Sequence, residues 1–315
     1  MNINGLIKGL HHVTATVNGA QEDYNFYVKL LGQRLVKETV NFDNERVYHF
    51  YYGNEIGLPS TIFTTFPYRG EGVRKGIIGT GQVYETVFSA PADSLPFWEN
   101  RLVSFGINVE TSIRFNQKIL QFKDPSGLLI SIIEDSSDKR EPVWSTDDII
   151  RKNALPGINH VTLAVAEPKE TITFLTEFGY SISKSDRKYT LLEAGNGGAG
   201  NSLVVMDGKE LPRGINGLGT VHHVAHRVAS IEDTIRLKPI LENRFGLKVT
   251  EIKDRKYFKS IYFRIPGGVL FEVATEGPGF LVDETNEELG TSLKLPDWQE
   301  PNRSQIENNL NPYKK

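Results

Sequence analysis

Apolar residues along this chain recur with two different periods, and the switch from one to the other occurs in the same way four times. Short stretches alternate apolar and polar residues, as half-buried strands do. They are Leu10-His11-His12-Val13-Thr14-Ala15, Val83-Tyr84-Glu85-Thr86-Val87, Ile158-Asn159-His160-Val161-Thr162-Leu163 and Val221-His222-His223-Val224-Ala225. Each is followed by a run of helical period, predicted over Ala20 to Leu31, over Leu95 to Phe105, from Pro168 onward and from Ser230 onward. Each run stops at a glycine (Gly32, Gly106, Gly179, Gly246), 19 to 23 residues beyond His12, Glu85, His160 or His223. Glycine is the expected stop because it accepts the left-handed conformation past a helix end. Asp93 is a candidate N-cap for the second helix, and Ser230 with Asp233 resembles a capping box for the fourth. Pro239 should bend that fourth helix. Three strand-like runs follow each glycine; in the last unit they are Lys248 to Glu251, Ser260 to Ile265 and Gly268 to Ala274.

The repeating unit is therefore β-α-β-β-β, at about 8–66, 82–134, 157–206 and 220–276. A fourfold recurrence at near-constant spacing is hard to obtain by chance. At 315 residues two domains are expected, 1–150 with the first two modules and 151–280 with the last two, divided by a polar connection from Asp135 to Pro156. A polar tail, 281–315, lacks the repeat; it either wraps the barrel surface or closes over a site. The module resembles the vicinal oxygen chelate superfamily. That resemblance implies an α+β fold of four βαβββ modules paired into two half-open barrels, and it covers about Leu10 to Thr275.

Strand alternation sets the facing. Val13, Ala15 and Val17 share a core face, which leaves His12, Thr14 and Thr16 inside the barrel. By the same rule His223 faces in, as do Glu272 on the closing strand and Tyr262 one strand earlier. His11 and His222 then lie on the far side of their strands. The closing frame Pro266-x-Gly268-x-x-x-Glu272 recurs as Pro125-x-Gly127-x-x-x-Ser131, with serine in place of the carboxylate. A single ligand set can be assembled, since a buried carboxylate beside two imidazoles calls for a divalent cation. It is His12, His223 and Glu272 if the outer modules share a barrel, or His160, His223 and Glu272 if the last two do. The matching doublets at His11–His12 and His222–His223 favour the first. His49 and His226 are read as ordinary core histidines.

Two neutral imidazoles and one carboxylate form the facial triad suited to non-haem Fe(II) oxygen chemistry, and Mn(II) accepts the same set. The chain also resembles ring-cleaving hydroquinone/catechol dioxygenases of extradiol type. Leu10-His-His-Val-Thr, Thr64-Thr-Phe-Pro67, Val221-His-His-Val-Ala, Asp254-Arg-Lys256, Ile265-Pro-Gly-Gly-Val-Leu-Phe-Glu272 and Gly277-Pro-Gly-Phe280 carry that resemblance. It implies iron held by His12, His223 and Glu272. It implies further that His11, Thr14, His222 and Tyr262 contact substrate or orient the ligands, with a small aromatic and O₂ as reactants, in a homo-oligomer. A glyoxalase-like metal-dependent isomerase or transferase would need a second carboxylate. A metal-free protein binding small aromatics would not need the triad at all.

Composition narrows the picture little. Charged residues are 24% and aromatics 10%, with a formal net charge of −3 and no block of like charges, so nucleic acid is not an expected partner. No apolar run reaches the roughly 18 residues of a membrane span. The absence of cysteine excludes disulfides and thiolate chemistry. Without an export signal the expected location is the cytoplasm.

Overall fold

The structure is a computed structural model that describes residues 3 and 5–315. All four modules form. The first comprises β1 (Leu10–Val17), α1 (Ala20–Tyr24), β2 (Arg34–Asn41), β3 (Asn44–Gly53) and β4 (Ile62–Pro67). The second comprises β5 (Gln82–Ala90), α2 (Leu95–Ser104), β6 (Glu110–Arg114), β7 (Gln117–Lys123) and β8 (Leu129–Glu134). The third has β9 (Ile158–Val165), α3 (Pro168–Glu177), β10 (Tyr180–Asp186), β11 (Tyr189–Ala194) and β12 (Ser202–Asp207). The fourth has β13 (Thr220–Val228), α4 (Ile231–Asn243), β14 (Lys253–Asp254), β15 (Lys259–Arg264) and β16 (Leu270–Thr275).

Two eight-stranded sheets result. One runs β14-β15-β16-β13-β1-β4-β3-β2 and joins the first and last modules; the other runs β10-β11-β12-β9-β5-β8-β7-β6 and joins the middle two. The sheets thus pair outer with outer and inner with inner rather than following the halves of the chain. The decisive seam is the antiparallel pair β1–β13, where Thr14 lies opposite His223. The inner sheet repeats that seam in β5–β9, with Glu85 opposite Thr162.

Gly32, Gly106, Gly179 and Gly246 all have positive φ, between 65° and 111°, as expected of helix-stopping glycines. Several local expectations need correction. The first helix is α-helical only to Tyr24 and continues as a π-helix over Asn25–Leu30, whose wider turn turns Phe26, Tyr27 and Leu30 into the core. Ser94, not Asp93, occupies the N-cap of α2, and Asp93 sits at φ 60°. Ser230 does precede α4, but its side chain makes no capping bond. No strand forms at 248–251; the edge strand is the two-residue β14. Thr250 still bonds Tyr262 from that segment, through backbone N to O at 3.0 Å and side-chain oxygen to N at 3.0 Å.

The tail binds mainly along the first module. Phe280 packs against Tyr51 and Tyr257. The fully buried Lys37 of β2 donates to Asp283 Oδ1 at 2.6 Å and to Glu284. Farther on, α5 (Arg303–Asn309) buries Ile306 in a cluster with Val40, Leu295 and Leu310. At the mouth of the outer barrel, Trp298 lies edge-on to Phe42 with ring centres 5.6 Å apart.

Candidate metal centre and aromatic pocket

Because β1 and β13 are neighbours and β16 flanks β13, three side chains far apart in the chain converge. His12, His223 and Glu272 are buried, and each offers a ligand atom lying within 4.8 Å of the other two. The Nε2 atoms of His12 and His223 are 3.2 Å apart, and Glu272 Oε2 lies 3.3 Å from the first and 2.8 Å from the second. Among the described residues no other such group of imidazoles and carboxylates occurs. His160 belongs to the inner sheet and takes no part.

The residues fit a metal on two further grounds. The short contact from His223 to Glu272 lacks hydrogen-bond alignment, so both oxygens of this fully buried carboxylate are without a donor. The tautomers also come out right. His11 Nδ1 is 2.9 Å from His12 Nδ1. With the shared proton on His12 Nδ1, the bare lone pair of His12 Nε2 is left facing the centre. His222 and His223 repeat the contact, Nδ1 to Nδ1 at 2.8 Å. Burial, the largest effect in each case, lowers His11 and His222 to about 3 and lowers His223 as well, so these imidazoles are neutral.

A cavity of about 230 Å³ opens over the trio. Its apolar wall includes Phe42, Phe66 and Phe258, and its polar wall Thr14, His49, His222, Arg255 and Tyr262. The Tyr262 hydroxyl accepts from Arg255 Nε and from Ser260 Oγ, each at 3.2 Å, which leaves its own proton to donate. Burial raises this phenol above its ordinary value, and the Glu272 charge adds to that, so it stays neutral. Arg255 is fixed in turn by Asp43, Nη2 to Oδ2 at 3.0 Å.

The sequence-predicted residues divide accordingly. His12, Thr14, His222, His223, Tyr262 and Glu272 all line the cavity, whereas His11 is buried behind His12 and acts only through it. His222 had been placed on the far side of its strand, and the structure corrects this. The β1–β13 ladder carries a bulge on each side of the His12–Thr14 pairing, with His11 the extra residue in β1 and His222 the extra residue in β13, and such a bulge re-aims a side chain that strict alternation would turn away. His226 is a core histidine, bonded to Tyr180 Oη through Nδ1 at 2.9 Å. His49 is not: it lines the cavity and donates from Nε2 to Thr64 Oγ1 at 2.9 Å, while Thr64 donates to Thr14 Oγ1 at 2.8 Å. Alternation along β3, applied as it was along β1, would have put Val47, His49 and Tyr51 on the cavity side.

Comparison with known proteins agrees with this architecture. The profile of the Glyoxalase/Bleomycin resistance protein/Dioxygenase superfamily matches residues 157–273. MhqE of Bacillus subtilis strain 168, named as a candidate ring-cleaving dioxygenase, is 46% identical across 95% of this chain and 97% of its own length. The chain belongs to the glyoxalase/bleomycin resistance protein/dioxygenase superfamily. Within that superfamily, the chlorohydroquinone/hydroquinone 1,2-dioxygenase of Sphingobium indicum is 39% identical, with 94% of this chain and 93% of that protein aligned. A crystal structure from B. subtilis, titled as a candidate dioxygenase, superposes with a TM-score of 0.93 at 38% identity over 98% of both chains. Maize glyoxalase I shares the fold, at a TM-score of 0.63 and 16% identity over 85% of this chain and 92% of its own.

Proposed function

We propose that the chain is a ring-cleaving dioxygenase of extradiol type for hydroquinone- or catechol-like aromatics, with His12, His223 and Glu272 ligating Fe(II), a set that also suits Mn(II). The observation that carries this reading is the convergence of two imidazoles and one donor-less carboxylate beneath an aromatic-walled cavity of about 230 Å³. The printed names of MhqE and of the Sphingobium enzyme support the same class of chemistry. A divalent ion so held keeps net charge +1 and adjacent open positions, and supplies a route for electrons from a ring oxygen to O₂.

The chain's own residues do the rest. Phe42, Phe66 and Phe258 bury the ring and exclude water from it. His222, whose Nδ1 faces His223 Nδ1, keeps its own proton on Nε2 and donates that N–H to a ring oxygen at the cavity wall. Tyr262 donates its free O–H toward the reacting oxygens, held in place by Arg255 and Ser260. Thr14, fed by the His49–Thr64 bonds, has its own hydroxyl proton free to point into the cavity. His11 keeps the His12 tautomer fixed.

The test is O₂ uptake by the Fe(II)-loaded protein with a panel of hydroquinones and catechols. Uptake with at least one of them, abolished in Glu272→Ala, His223→Ala and His12→Ala, is expected. Full activity in His12→Ala sinks the assignment. Turnover of another substrate with Zn or Ni and no O₂ uptake would instead favour a glyoxalase-like reaction.

A further inference from the structure

The inner half-barrel preserves the frame of the metal centre with different chemistry, and it leaves one of its groups unanswered. By strand register, His160 stands where His12 does, Glu85 where His223 does and Ser131 where Glu272 does. Arg114 fills the centre: its Nη1 donates to Glu85 Oε2 at 2.6 Å and to Thr162 Oγ1 at 3.1 Å. Glu85 also accepts from Ser131, Gln121 and Thr162 at 2.6 to 2.8 Å, so this carboxylate is saturated.

His160 is not. Asn159 Nδ2 donates to Ser89 Oγ at 2.9 Å and to Asp135 Oδ2 at 3.0 Å, which fixes the amide so that its Oδ1 faces His160 Nδ1 at 2.8 Å. The proton of His160 is therefore on Nδ1, and Nε2 carries a bare lone pair. Nε2 is buried in a side chain only 4% exposed and has no partner among the described residues. An unmade hydrogen bond of this kind costs about 1–3 kcal/mol. Burial first, and then the Arg114 charge, lower this imidazole, so the lone pair stays available.

A cavity of about 210 Å³ adjoins it, with Phe115, Ile119, Ile133 and Leu191 as an apolar wall and Arg114, Asp135, Lys184 and Glu193 among the polar groups around it. An apolar cavity of about 150 Å³ is known to take up benzene, so a substituted monocyclic ring fits here. A cation is not favoured: Asp135 and Glu193 also line the cavity, but among the described residues they form no ligand cluster with His160, and Arg114 and Lys184 on the same walls oppose one. What the site asks for is a flat apolar body carrying a neutral hydrogen-bond donor.

From these features we infer that the inner half-barrel is a second, non-reacting binding site for a phenol, whose hydroxyl donates to His160 Nε2 while its ring lies on Ile119, Ile133 and Leu191. It is independent of the metal centre and of the reaction proposed there. The probe is 4-fluorophenol, which lacks the second hydroxyl, titrated by fluorine NMR into the purified full-length chain under nitrogen. A saturable site is expected that loses about tenfold in affinity in His160→Leu, the equivalent of one hydrogen bond. Leu191→Trp, which fills the cavity from a half-buried position and spares His160, is expected to remove it. Phe66→Trp, which crowds the outer cavity, is expected to leave it intact. The proposal is overturned if no saturable binding occurs up to the solubility limit, or if binding is unchanged in Leu191→Trp or lost only in Phe66→Trp. None of these outcomes bears on O₂ uptake, so this inference and the ring-cleavage reading can fail separately.

Discussion

Asp23 offers a sharp test of the core energetics beneath the outer barrel. It lies on α1, 2% exposed, and its Oδ2 accepts from Tyr52 Oη at 2.7 Å and from Thr65 Oγ1 at 2.5 Å, while Oδ1 has no donor. Burial pushes this carboxyl from 3.8 up to about 8; its two hydrogen bonds oppose the shift, and the Asp124 charge adds to it. Between those values the folded chain holds a proton that the unfolded chain has released. Stability must therefore fall as pH rises through this range, by about 1.4 kcal/mol per unit, and level off above the folded value. Six histidines act in the opposite sense, because burial holds His11, His49, His160, His222, His223 and His226 low. Their contribution grows with pH only up to the unfolded value of 6.5. The window from 6.5 to 8 thus isolates the carboxylate. In Asp23→Asn the proton is no longer lost. Relative to wild type, the variant should gain about 2 kcal/mol across those 1.5 units. Any penalty from the amide nitrogen at the Oδ1 position is independent of pH and drops out of the slope. Asp124, which burial raises to about 7, remains in both proteins and cancels to first order. Urea unfolding in a chelator, followed by tryptophan fluorescence, reads the difference. A gap between variant and wild type that stays constant from pH 6.5 to 8, or that widens toward low pH, refutes the reasoning.

Three further outcomes are expected. Lys37→Met leaves Glu284 buried without its cation, so it should lose about 3–5 kcal/mol in urea unfolding, most of it recovered when Glu284→Gln is added. Glu272→Gln should purify and reload with little bound metal by elemental analysis, whereas His160→Ala should keep it. His49→Phe removes the bond to Thr64 without touching a ligand. It should retain its metal but turn over about fivefold to tenfold more slowly, the value of one hydrogen bond.

Much of the outer site can be read from sequence because it depends on two periodicities. Repeated strand-to-glycine spacing locates the modules, and alternation within β1, β13 and β16 points His12, His223 and Glu272 inward. Alternation fails at His222 for a local reason: His222 is itself the bulged residue of β13, where the ladder that the rule assumes is broken. It also misses Arg255, which reaches the cavity from a loop with no period. The pairing of modules is a different matter. No local pattern specifies which sheet edges meet; the matching histidine doublets, and the resemblance of their surroundings to hydroquinone-cleaving dioxygenases, are what point to β1 beside β13. The tail was undetermined for the same reason, since its contacts depend on residues such as Lys37 and Phe42 that lie far away in the chain.

The two half-barrels show how one frame can be neutralised in two ways. In the inner one, buried Glu85 is matched by the guanidinium of Arg114, and Ser131 stands where a second carboxylate would restore a negative charge. That centre is already neutral, and a side chain occupies it. In the outer one, Glu272 is equally buried, its neighbours are imidazoles, and among the described residues no lysine or arginine reaches its oxygens. A carboxylate left so would cost several kcal/mol. The frame that accepts arginine on one side therefore leaves an unneutralised carboxylate on the other, where a cation would restore the balance. Replacing Arg114 alone would not create a second centre, because Ser131 and Glu85 would still supply the wrong set beside His160.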